Sequence, residues 1–335
     1  MTLPRVSILL PVHNEARLLP AALRSLQRQT LTDWQLVVIN DGSTDATQDL
    51  LERTAAGDRR IIVLQQPKRG LVAALNAGLQ HCRAPLVARM DADDVCHPQR
   101  LALQADFLDK HPEVTLVACQ VRHVPRPRIR AGFLAYEDWQ NGLLDNAAIR
   151  RDMYVESPFA HPSVVYRRDA ILKLGGYRQM GWAEDYDLWL RLAQQGAAFA
   201  RIPRILLYWR DRPERLSRTA PDYALAAFRR CKTHFLRRDF LADVAQVTLW
   251  GAGREGKAWR AVLNEAGITV ATWIDIDPRK IGQTIHGAPV IDYRRLTPGH
   301  GKILVTIGAK GAREQVREFA HRRGLVEGQD FVCVT

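Results

Sequence analysis

Short apolar strands alternate with helix-like segments along the first ninety residues, and this alternation limits the possible folds more than any other feature. Strand patterns occupy residues 6–10, 34–39, 61–64 and 86–90, and helix patterns lie between them at 18–26, 45–55 and 71–82. Alternation at this spacing indicates a mostly parallel sheet with helices on both faces. The sequence therefore predicts the α/β class for this part of the chain.

Polar clusters follow three of these strands directly, at residues 11–15, 40–45 and 91–94. In open parallel sheets, ligands bind beyond the carboxyl ends of the strands. We therefore expect the three clusters to meet in one crevice that forms the ligand site.

The third cluster is the sharpest chemical feature, because Asp91, Asp93 and Asp94 place three carboxylates within four residues. Mg²⁺ and Mn²⁺ prefer oxygen ligands and are commonly held by one or two carboxylates together with substrate phosphates. The cluster predicts such a metal site. The alternative is an acidic turn whose aspartates cap a helix.

The first two clusters suit a nucleotide, although ordinary turns use the same residue types. Residues 40–45 lead into a helix N-terminus, whose N–H groups bind anions, and Asp41 is suited to a base or ribose. Pro11, His13 and Glu15 follow the first strand in the same way. Plain turn chemistry is the competing interpretation.

A basic turn precedes the helix predicted at 71–82. Lys68 and Arg69 provide cations for a diphosphate, and Gly70 permits a close approach of the backbone. A solvated loop is the alternative interpretation.

Glu184 and Asp185 stand at the start of a helix predicted at 184–194. Acidic residues at this position complement the helix dipole, which is one interpretation. The other is a general base, because a carboxylate beside an apolar wall acquires a raised pKa that suits proton transfer.

Taken in this order, the motifs resemble those of the family 2 glycosyltransferases, which share the GT-A fold. The resemblance covers residues 5–215. Its landmarks are Pro11-Val-His-Asn-Glu15, Asn40 to Asp45, Lys68 to Leu71 with Asn76 and Gly78, Met90 to Asp94, His161-Pro-Ser163, Glu184-Asp185 and Tyr208-Trp-Arg210.

The resemblance implies a role for each matching residue. The donor-binding residues would be Pro11, His13, Glu15, Asp41, Lys68, Arg69, Gly70, Asn76, Asp91 and Arg210. The metal ligands would be Asp91 and Asp93, with Asp94 sharing or replacing one of them. Asp185 matches the family's catalytic base with Glu184 beside it, and His161 and Trp182 would lie on the acceptor side.

The resemblance also implies the chemistry. A base removes a proton from an acceptor hydroxyl as it attacks the anomeric carbon of a nucleotide-sugar donor, which inverts that carbon in one displacement. Mg²⁺ or Mn²⁺ would stabilise the charge on the departing diphosphate. The family usually builds bacterial cell-surface polysaccharides, so a glycan or lipid-linked acceptor is expected.

Length and cysteine usage fit an intracellular enzyme. The 335 residues suggest about two domains. The five cysteines form no Cys-x-x-Cys pair, which disfavours a zinc knuckle or a disulfide framework and favours the reducing cytoplasm. The sequence shows no signal peptide and no run of the ~20 apolar residues that a membrane span needs.

The net charge of +12 is concentrated in two stretches. Residues 201–238 contain eleven Lys/Arg and three Asp/Glu, and residues 122–130 contain four Arg and no acid. Such stretches attract phosphates or anionic membrane surfaces. Peripheral contact with the inner face of the membrane, or binding of a lipid diphosphate, is therefore one interpretation, and a solvated basic face is the other.

A second periodic unit begins near residue 247. Gly251, Gly253 and Gly256 lie between a predicted strand and helix, and Asp275 follows 24 residues after Gly251. A dinucleotide-binding turn requires this context. We predict a GT-A domain at 1–242 and a Rossmann-like module at 243–335 that binds a dinucleotide or a nucleotide sugar. A regulatory, scaffolding or vestigial module is the alternative.

Three functions follow from these observations. The first is a metal-dependent inverting glycosyltransferase. The second is a bifunctional protein whose C-terminal module also binds or modifies a nucleotide sugar with NAD(P). The third is a non-enzymatic anion- or nucleic-acid-binding protein. The acidic cluster at 91–94 opposes nucleic acid and no nucleic-acid-binding motif is present, so we expect no nucleic-acid partner.

Overall fold

The computed structural model describes residues 3–309 and 311–335. These residues form two compact units, and the chain passes between them more than once. The first unit contains residues up to 150, together with 158–180 and 184–219. The second contains residues 151–157, 181–183 and the described residues from 220 onward. The division into domains at 242 and 243 stays a prediction.

The first unit is built on a sheet that has eight strands among the described residues. The strands are β1 (Val6–Val12), β2 (Trp34–Asp41), β3 (Ile61–Gln66), β4 (Leu86–Arg89), β5 (Val95–Cys96), β6 (Val114–Val124), β7 (Val164–Arg167) and β8 (Ala198–Arg210), in the order β3-β2-β1-β4-β7-β6-β8-β5. Strands β3, β2, β1 and β4 are mutually parallel, as predicted. Strand β7 is antiparallel to both of its neighbours, and β5 is antiparallel to β8, so the sheet is mixed.

The helices of this part of the chain agree with the predicted segments and add several that the pattern did not indicate. They are α1 (Leu19–Gln27), α2 (Thr47–Gly57), α3 (Leu71–His81), α4 (Arg100–Lys110), α5 (Ala131–Gly142), α6 (Asn146–Arg151), α7 (Arg168–Lys173), α8 (Glu184–Gln194) and α9 (Leu216–Thr219). Short 3-10 turns occur at Arg126–Arg128 and His161–Ser163, and another at Pro221–Tyr223 belongs to the second unit.

Strands β1 and β2 form the centre of the core, because every residue in both is buried. Parallel strands that are covered on both faces show this pattern. The predicted end of β1 at residue 10 is wrong, because the strand continues through Pro11 to Val12. Pro11 is tolerated because β4 pairs only with Val6 to Leu9, so that neighbour has ended before the proline is reached.

Helix α3 lies directly against these strands, and Gly78 permits the close approach. A Cβ atom at Gly78 would lie 2.2 Å from Ile39 Cδ1 and 2.4 Å from Leu9 Cδ1. Helix α3 begins after Gly70, whose φ of 90° lies in the region that glycine favours. The basic turn at 68–70 is therefore fixed beside the carboxyl end of β2.

The second unit contains a separate sheet with six strands in its described part. They are β9 (Gln246–Trp250), β10 (Thr269–Asp275), β11 (Thr284–Ile285), β12 (Ala288–Asp292), β13 (Ile303–Val305) and β14 (Phe331–Cys333), in the order β11-β12-β10-β9-β13-β14. All neighbours are parallel except β11 and β12. The helices are α10 (Leu225–Leu236), α11 (Arg254–Glu265) and α12 (Ala312–Arg322), with a 3-10 turn at Tyr293–Arg295.

The apolar core of the second unit includes residues that precede its first strand. Leu236, Phe240 and Leu241 belong to the same buried cluster as Leu249 and Trp273. The segment at 236–241 is therefore part of the folded body of this unit rather than a linker.

No helix in the described ranges combines the length and the apolar character that crossing a membrane requires.

Candidate active site

The first two polar clusters form one system of turns at the carboxyl ends of β1 and β2. His13 Nδ1 lies 2.9 Å from the backbone oxygen of Asp41. The backbone N–H of Asn14 donates to Ser43 Oγ at 2.9 Å, and the φ of Asn14 is 54°. The structure therefore brings the predicted clusters at 11–15 and 40–45 together.

Asp41 organises the basic turn that precedes α3. Its carboxylate accepts hydrogen bonds from the backbone N–H groups of Arg69 and Gly70, both at 2.8 Å, and from Gln66 Nε2 at 2.7 Å. Burial opposes ionisation, but these hydrogen bonds outweigh it and hold the pKa of Asp41 below its usual value. Asp41 is therefore a fixed negative charge, and the exposed side chains of Lys68 and Arg69 extend from the turn it holds.

The third cluster follows β4 and is tightly packed. One carboxylate oxygen from each of Asp91, Asp93 and Asp94 lies within 4.8 Å of the others. Asp91 is ion-paired with Arg89 at 2.7 Å, and the backbone N–H of Arg210 donates to Asp94 Oδ1 at 2.7 Å. The other oxygen, Asp94 Oδ2, is buried and has no hydrogen-bond partner among the described residues.

Burial and mutual repulsion separate the pKa values of these three acids. Burial and the charge of Asp91 raise the pKa of Asp93 to about 6. Burial and the charges of Asp93 and Asp91 raise the pKa of Asp94 well above its usual value. Burial acts on Asp91 in the same direction, but the nearby Arg89, Arg215 and His161 outweigh it and lower the pKa of Asp91.

The cluster fits a divalent cation. A buried carboxylate oxygen without a partner costs about 1–3 kcal/mol, and a cation bound among three converging carboxylates would remove both that cost and their repulsion. The donor set consists only of hard oxygen atoms, which favours Mg²⁺ or Mn²⁺ over softer metals. Asp91, Asp93 and Asp94 are the residues that would hold the ion.

Arg212 connects the third cluster to the first, and the sequence did not single it out. Its guanidinium is ion-paired with Glu15 and also lies 3.0 Å from Asp93 Oδ2. Arg210 Nε donates to the backbone oxygen of Asp93 at 2.8 Å. The segment after β8 therefore reaches the crevice, and all three predicted clusters meet there. The only sequence signal for Arg212 was the arginine-rich composition of 201–238.

Glu184 and Asp185 begin α8, as predicted. Glu184 Oε1 lies 3.4 Å from His161 Nδ1, and His161 Nε2 lies 3.1 Å from the hydroxyl of Tyr177. Burial and the adjacent charge of Glu184 raise the pKa of Asp185 well above its usual value. Burial and the charge of Arg89 lower the pKa of His161, which keeps this ring neutral.

Arg89 links the two acidic groups electrostatically. Its guanidinium is buried and influences the pKa of Asp91, of Asp185 and of His161. The structure therefore places the predicted base helix and the predicted metal cluster in one neighbourhood. Sequence reasoning missed Arg89, because an arginine in an apolar strand has no motif of its own.

The predicted roles of Asn76 and Trp182 stay predictions, and both side chains make contacts within the protein. Asn76, assigned to the donor, exchanges two hydrogen bonds of 2.9 Å with the backbone of Tyr177, so its amide clamps two segments of the first unit. Trp182, assigned to the acceptor side, belongs to the second unit, where its ring lies 5.2 Å from that of His234.

The glycine turn of the second unit is tightly packed, because Gly256 lies against the backbone of Gly251. Gly251 has a φ of 120°, and a Cβ atom at Gly256 would lie 1.9 Å from the backbone oxygen of Gly251. Asp275 Oδ2 accepts hydrogen bonds from the backbone N–H of Ala252 at 3.0 Å and from Lys280 Nζ at 2.8 Å. The carboxylate that is predicted to bind a ribose therefore already accepts hydrogen bonds from the protein itself. A Cβ atom at Gly253, in contrast with Gly256, would have no atom within 4 Å.

Comparisons with known proteins show which family the sequence matches. The sequence model of the family described as glycosyl transferase family 2 matches residues 7–175. The amylovoran biosynthesis glycosyltransferase AmsE of Erwinia amylovora is 33% identical over 204 residues, which cover 60% of this chain and 74% of that protein. The UDP-Gal:alpha-D-GlcNAc-diphosphoundecaprenol beta-1,3-galactosyltransferase of Escherichia coli is 27% identical over 246 residues, which cover 71% of this chain and 86% of that protein.

A solved structure has the same fold. The mannosyltransferase PcManGT from Pyrobaculum calidifontis, in complex with GDP-Man and Mn²⁺, matches with a TM-score of 0.51 at 21% identity. The match covers 80% of this chain and 70% of that one.

Proposed function

Because the chain belongs to glycosyl transferase family 2 and is a glycosyltransferase, we propose that it carries out metal-dependent, inverting transfer from a nucleotide-diphosphate sugar. The acceptor is a hydroxyl group of a glycan or of a lipid-linked glycan in bacterial cell-surface polysaccharide synthesis. One observation carries the proposal: a cluster of three carboxylates, in which one buried oxygen has no partner among the described residues, shares its surroundings with Asp185, whose pKa is raised.

The relatives support the substrate classes. One is named for amylovoran biosynthesis, and another for transfer of galactose from UDP-Gal to a sugar diphosphoundecaprenol. The structural neighbour contains a nucleotide sugar and Mn²⁺. These names suggest a UDP-, GDP- or related sugar as donor and a lipid-linked sugar as acceptor for this chain.

Asp185 is the proposed general base. A carboxylate with a raised pKa accepts a proton more readily at neutral pH, so Asp185 takes the proton of the acceptor hydroxyl as its oxygen attacks the anomeric carbon. The new C–O bond forms as the bond to the diphosphate breaks, and the pair of electrons leaves with the phosphate oxygen. Glu184 and neutral His161 hold the start of α8 in place beside this reaction.

Asp91, Asp93 and Asp94 are the proposed ligands of Mg²⁺ or Mn²⁺, which when bound supplies Lewis-acid stabilisation of the departing diphosphate. Asp41 keeps the turn at 68–70 in position, so that Lys68 and Arg69 present positive charge to the nucleotide. Arg210 lies against the acidic cluster, which supports a role for it in closing over the phosphates.

For the second unit we propose a Rossmann-like nucleotide-binding module. The parallel order β12-β10-β9-β13-β14 and the glycine turn after β9 support this assignment. A bifunctional protein in which this module binds or modifies a nucleotide sugar with NAD(P) is the second candidate, favoured by the turn alone. Because Asp275 is already paired with Lys280, a regulatory or scaffolding role is equally consistent with the contacts.

We further propose a cytoplasmic location with peripheral contact at the inner membrane face. All five cysteines are buried, and none belongs to a Cys-x-x-Cys pair, which suits a reducing compartment. The arginine-rich stretch at 201–238 supplies charge for an anionic surface.

A thermal-shift panel tests the proposed function. The purified chain is heated with UDP-, GDP- or dTDP-sugars, with and without Mn²⁺ or Mg²⁺, and separately with NAD(H) or NADP(H). A ligand at about 100 times its Kd adds about 2.7 kcal/mol, which raises Tm measurably. We expect metal-dependent stabilisation by one nucleotide class. A shift only with NAD(P)(H) would move the chemistry to the second unit and refute the proposal.

A further inference from the structure

The second unit contains a cavity of about 540 Å³ at the C-terminal ends of α10 and α11. It lies at the opposite end of α11 from the glycine turn, so it is separate from the proposed nucleotide-binding turn. Its volume is within the range of small-molecule sites. The lining includes Trp182, Arg230, Thr233, Arg237, Arg238 and Glu265.

The lining is strongly basic. Arg230, Arg237 and Arg238 provide three guanidinium groups, whereas Glu265 is the one carboxylate among the lining residues. Arg238 donates to the backbone oxygen of His234 at 2.7 Å, and Arg230 donates to the backbone oxygen of Gly181 at 3.3 Å. Because both acceptors are uncharged, these hydrogen bonds do not neutralise the two guanidinium groups. Within the described ranges, none of the three arginines is ion-paired with an acid. The three guanidinium groups outnumber the single carboxylate, and this excess of positive charge favours an anion.

Thr233 provides an independent sign of a ligand. It lines the cavity, it is only 3% exposed, and its hydroxyl has no hydrogen-bond partner in the described part of the chain. Buried polar groups are almost always hydrogen-bonded. A hydroxyl left unpartnered beside three arginines is suited to donate to a phosphate oxygen.

The remaining lining suits a sugar ring. Trp182 presents an indole whose ring is 5.2 Å from that of His234, and aromatic faces pack well against cyclic groups. Glu265 has only acceptor oxygens when ionised, which match the hydroxyl groups of a sugar. The two kinds of lining therefore complement the two parts of a sugar diphosphate.

We propose that this cavity binds a sugar diphosphate. The guanidinium groups of Arg230, Arg237 and Arg238 hold the phosphates, Thr233 donates to a phosphate oxygen, and the sugar lies between Trp182 and Glu265. The ligand is either a free nucleotide sugar or the headgroup of a lipid-linked sugar, since both have this chemistry. The proposal does not depend on the function proposed for the acidic crevice.

Binding is measured by titration calorimetry on the full chain in EDTA, which suppresses metal-dependent binding elsewhere. One probe is UDP-N-acetylglucosamine, and the other is phosphatidylcholine vesicles carrying undecaprenyl-diphosphate N-acetylglucosamine. The variant R237Q/R238Q is compared with R322Q/R323Q, an exposed pair on and after α12 that removes the same charge. We expect at least tenfold weaker binding for the first variant and a change within twofold for the second.

The probe whose binding is weakened by R237Q/R238Q shows whether the ligand is a free nucleotide sugar or a lipid-linked sugar. Binding of neither probe, or equal affinity in the wild type and in R237Q/R238Q, would overturn the proposal. Equally tight binding to phosphatidylglycerol vesicles that lack a diphosphate would also overturn it, because the arginines would then recognise a membrane surface.

The variant T233V separates recognition from folding. It removes the hydroxyl and keeps the shape of the side chain, so we expect threefold to tenfold weaker binding with a Tm that is unchanged or higher. Wild-type affinity in T233V would show that the hydroxyl does not contact the ligand and would contradict the proposed geometry.

Discussion

Asp41 in the first unit and Asp275 in the second are the last residues of sheet strands, and Asp94 follows another strand, yet their carboxylates are used differently. Asp275 accepts hydrogen bonds from backbone N–H groups and from Lys280, so both of its oxygens are occupied. In the first unit, Asp41 is similarly occupied by a turn, but Asp94 retains a buried oxygen without a partner in the described ranges. Similar motifs thus produce one closed turn and one crevice with unused bonding capacity.

A motif therefore predicts chemistry only when its polar groups stay available for a ligand. The glycine turn of the second unit matches a nucleotide-binding pattern in sequence, but its acid is neutralised within the chain. The acidic cluster of the first unit keeps charge that its own residues do not fully balance, as the raised pKa of Asp93 reflects. Substitutions in the acidic crevice of the first unit are therefore expected to change turnover, whereas substitutions in the glycine turn of the second unit are expected mainly to change stability.

The largest expected effect is on turnover in the first unit. The substitution Asp185→Asn removes the proposed base, and we expect transfer to fall roughly 10²- to 10⁴-fold. Donor binding should be retained because the amide keeps the shape of the carboxylate. Initial rates with a radiolabelled donor measure the loss. Asp169→Asn, an exposed acid on α7, is the control, and unchanged turnover in Asp185→Asn would remove Asp185 from the chemistry.

The next effect is on the stability of the second unit. Gly256→Ala puts a Cβ atom against the backbone oxygen of Gly251, and overpacking of this kind costs about 2–3 kcal/mol. Gly253→Ala meets nothing within 4 Å and should stay within about 0.5 kcal/mol of the wild type. Urea unfolding of both variants provides the measurement. Equal stability of the two would show that the turn is looser than its contacts indicate.

A smaller effect, on stability and on metal affinity, is expected from substitution of Asp94, whose Oδ2 has no partner among the described residues. Asp94→Asn keeps the acceptor for the Arg210 N–H and relieves repulsion from Asp91 and Asp93. We expect the metal-free protein to be about 1 kcal/mol more stable, because a buried uncompensated charge is removed. We also expect the affinity for Mn²⁺ to fall roughly tenfold, which corresponds to about 1.4 kcal/mol. Thermal unfolding with and without Mn²⁺ measures both, and an unaltered Mn²⁺ response would exclude Asp94 as a ligand.

The smallest effect is a pH dependence at Asp275. Its hydrogen bonds outweigh burial and lower its pKa from 3.8, so its contribution to stability is present above that pH and is lost as the pH falls through the lowered value. Asp275→Asn should therefore cost about 1 kcal/mol at pH 7 and progressively less below pH 3.8. Urea midpoints across this range test the sign, and a cost that grows on acidification would contradict it.

The parallel half of the first sheet could be predicted from the sequence, because its strands are short apolar runs separated by helices. The long strands β6 and β8 could not. Strand β8 contains Arg201 and Arg204, which disguise it as a polar segment. Arg201 is nevertheless buried, because the backbone oxygens of Gln140, Leu143 and Pro158 accept its hydrogen bonds. Tertiary contacts of this kind leave no local pattern.

The meeting of the three polar clusters was predictable for the same reason, since strand ends in a parallel sheet lie at one edge. The residues that connect the clusters were not. Arg212 lies 197 positions after Glu15 in the sequence, and no spacing rule relates them. Likewise, the ion pair between Lys280 and Asp275 depends on where the turn after β10 places the flexible lysine side chain.

The short segment at 151–157 has a consequence for how such a chain can change over generations. Asp152 in this segment is ion-paired with Arg317, and the backbone oxygen of Val155 accepts a hydrogen bond from the buried Lys232, which also donates to Val334. The second unit therefore depends on seven residues encoded in the middle of the gene. Recombination that joins only the 3′ part to another gene would remove one of the partners of Arg317 and one of the partners of Lys232, although Glu327 and Val334 would remain. The second unit would lose stability, so the two units are expected to be inherited together.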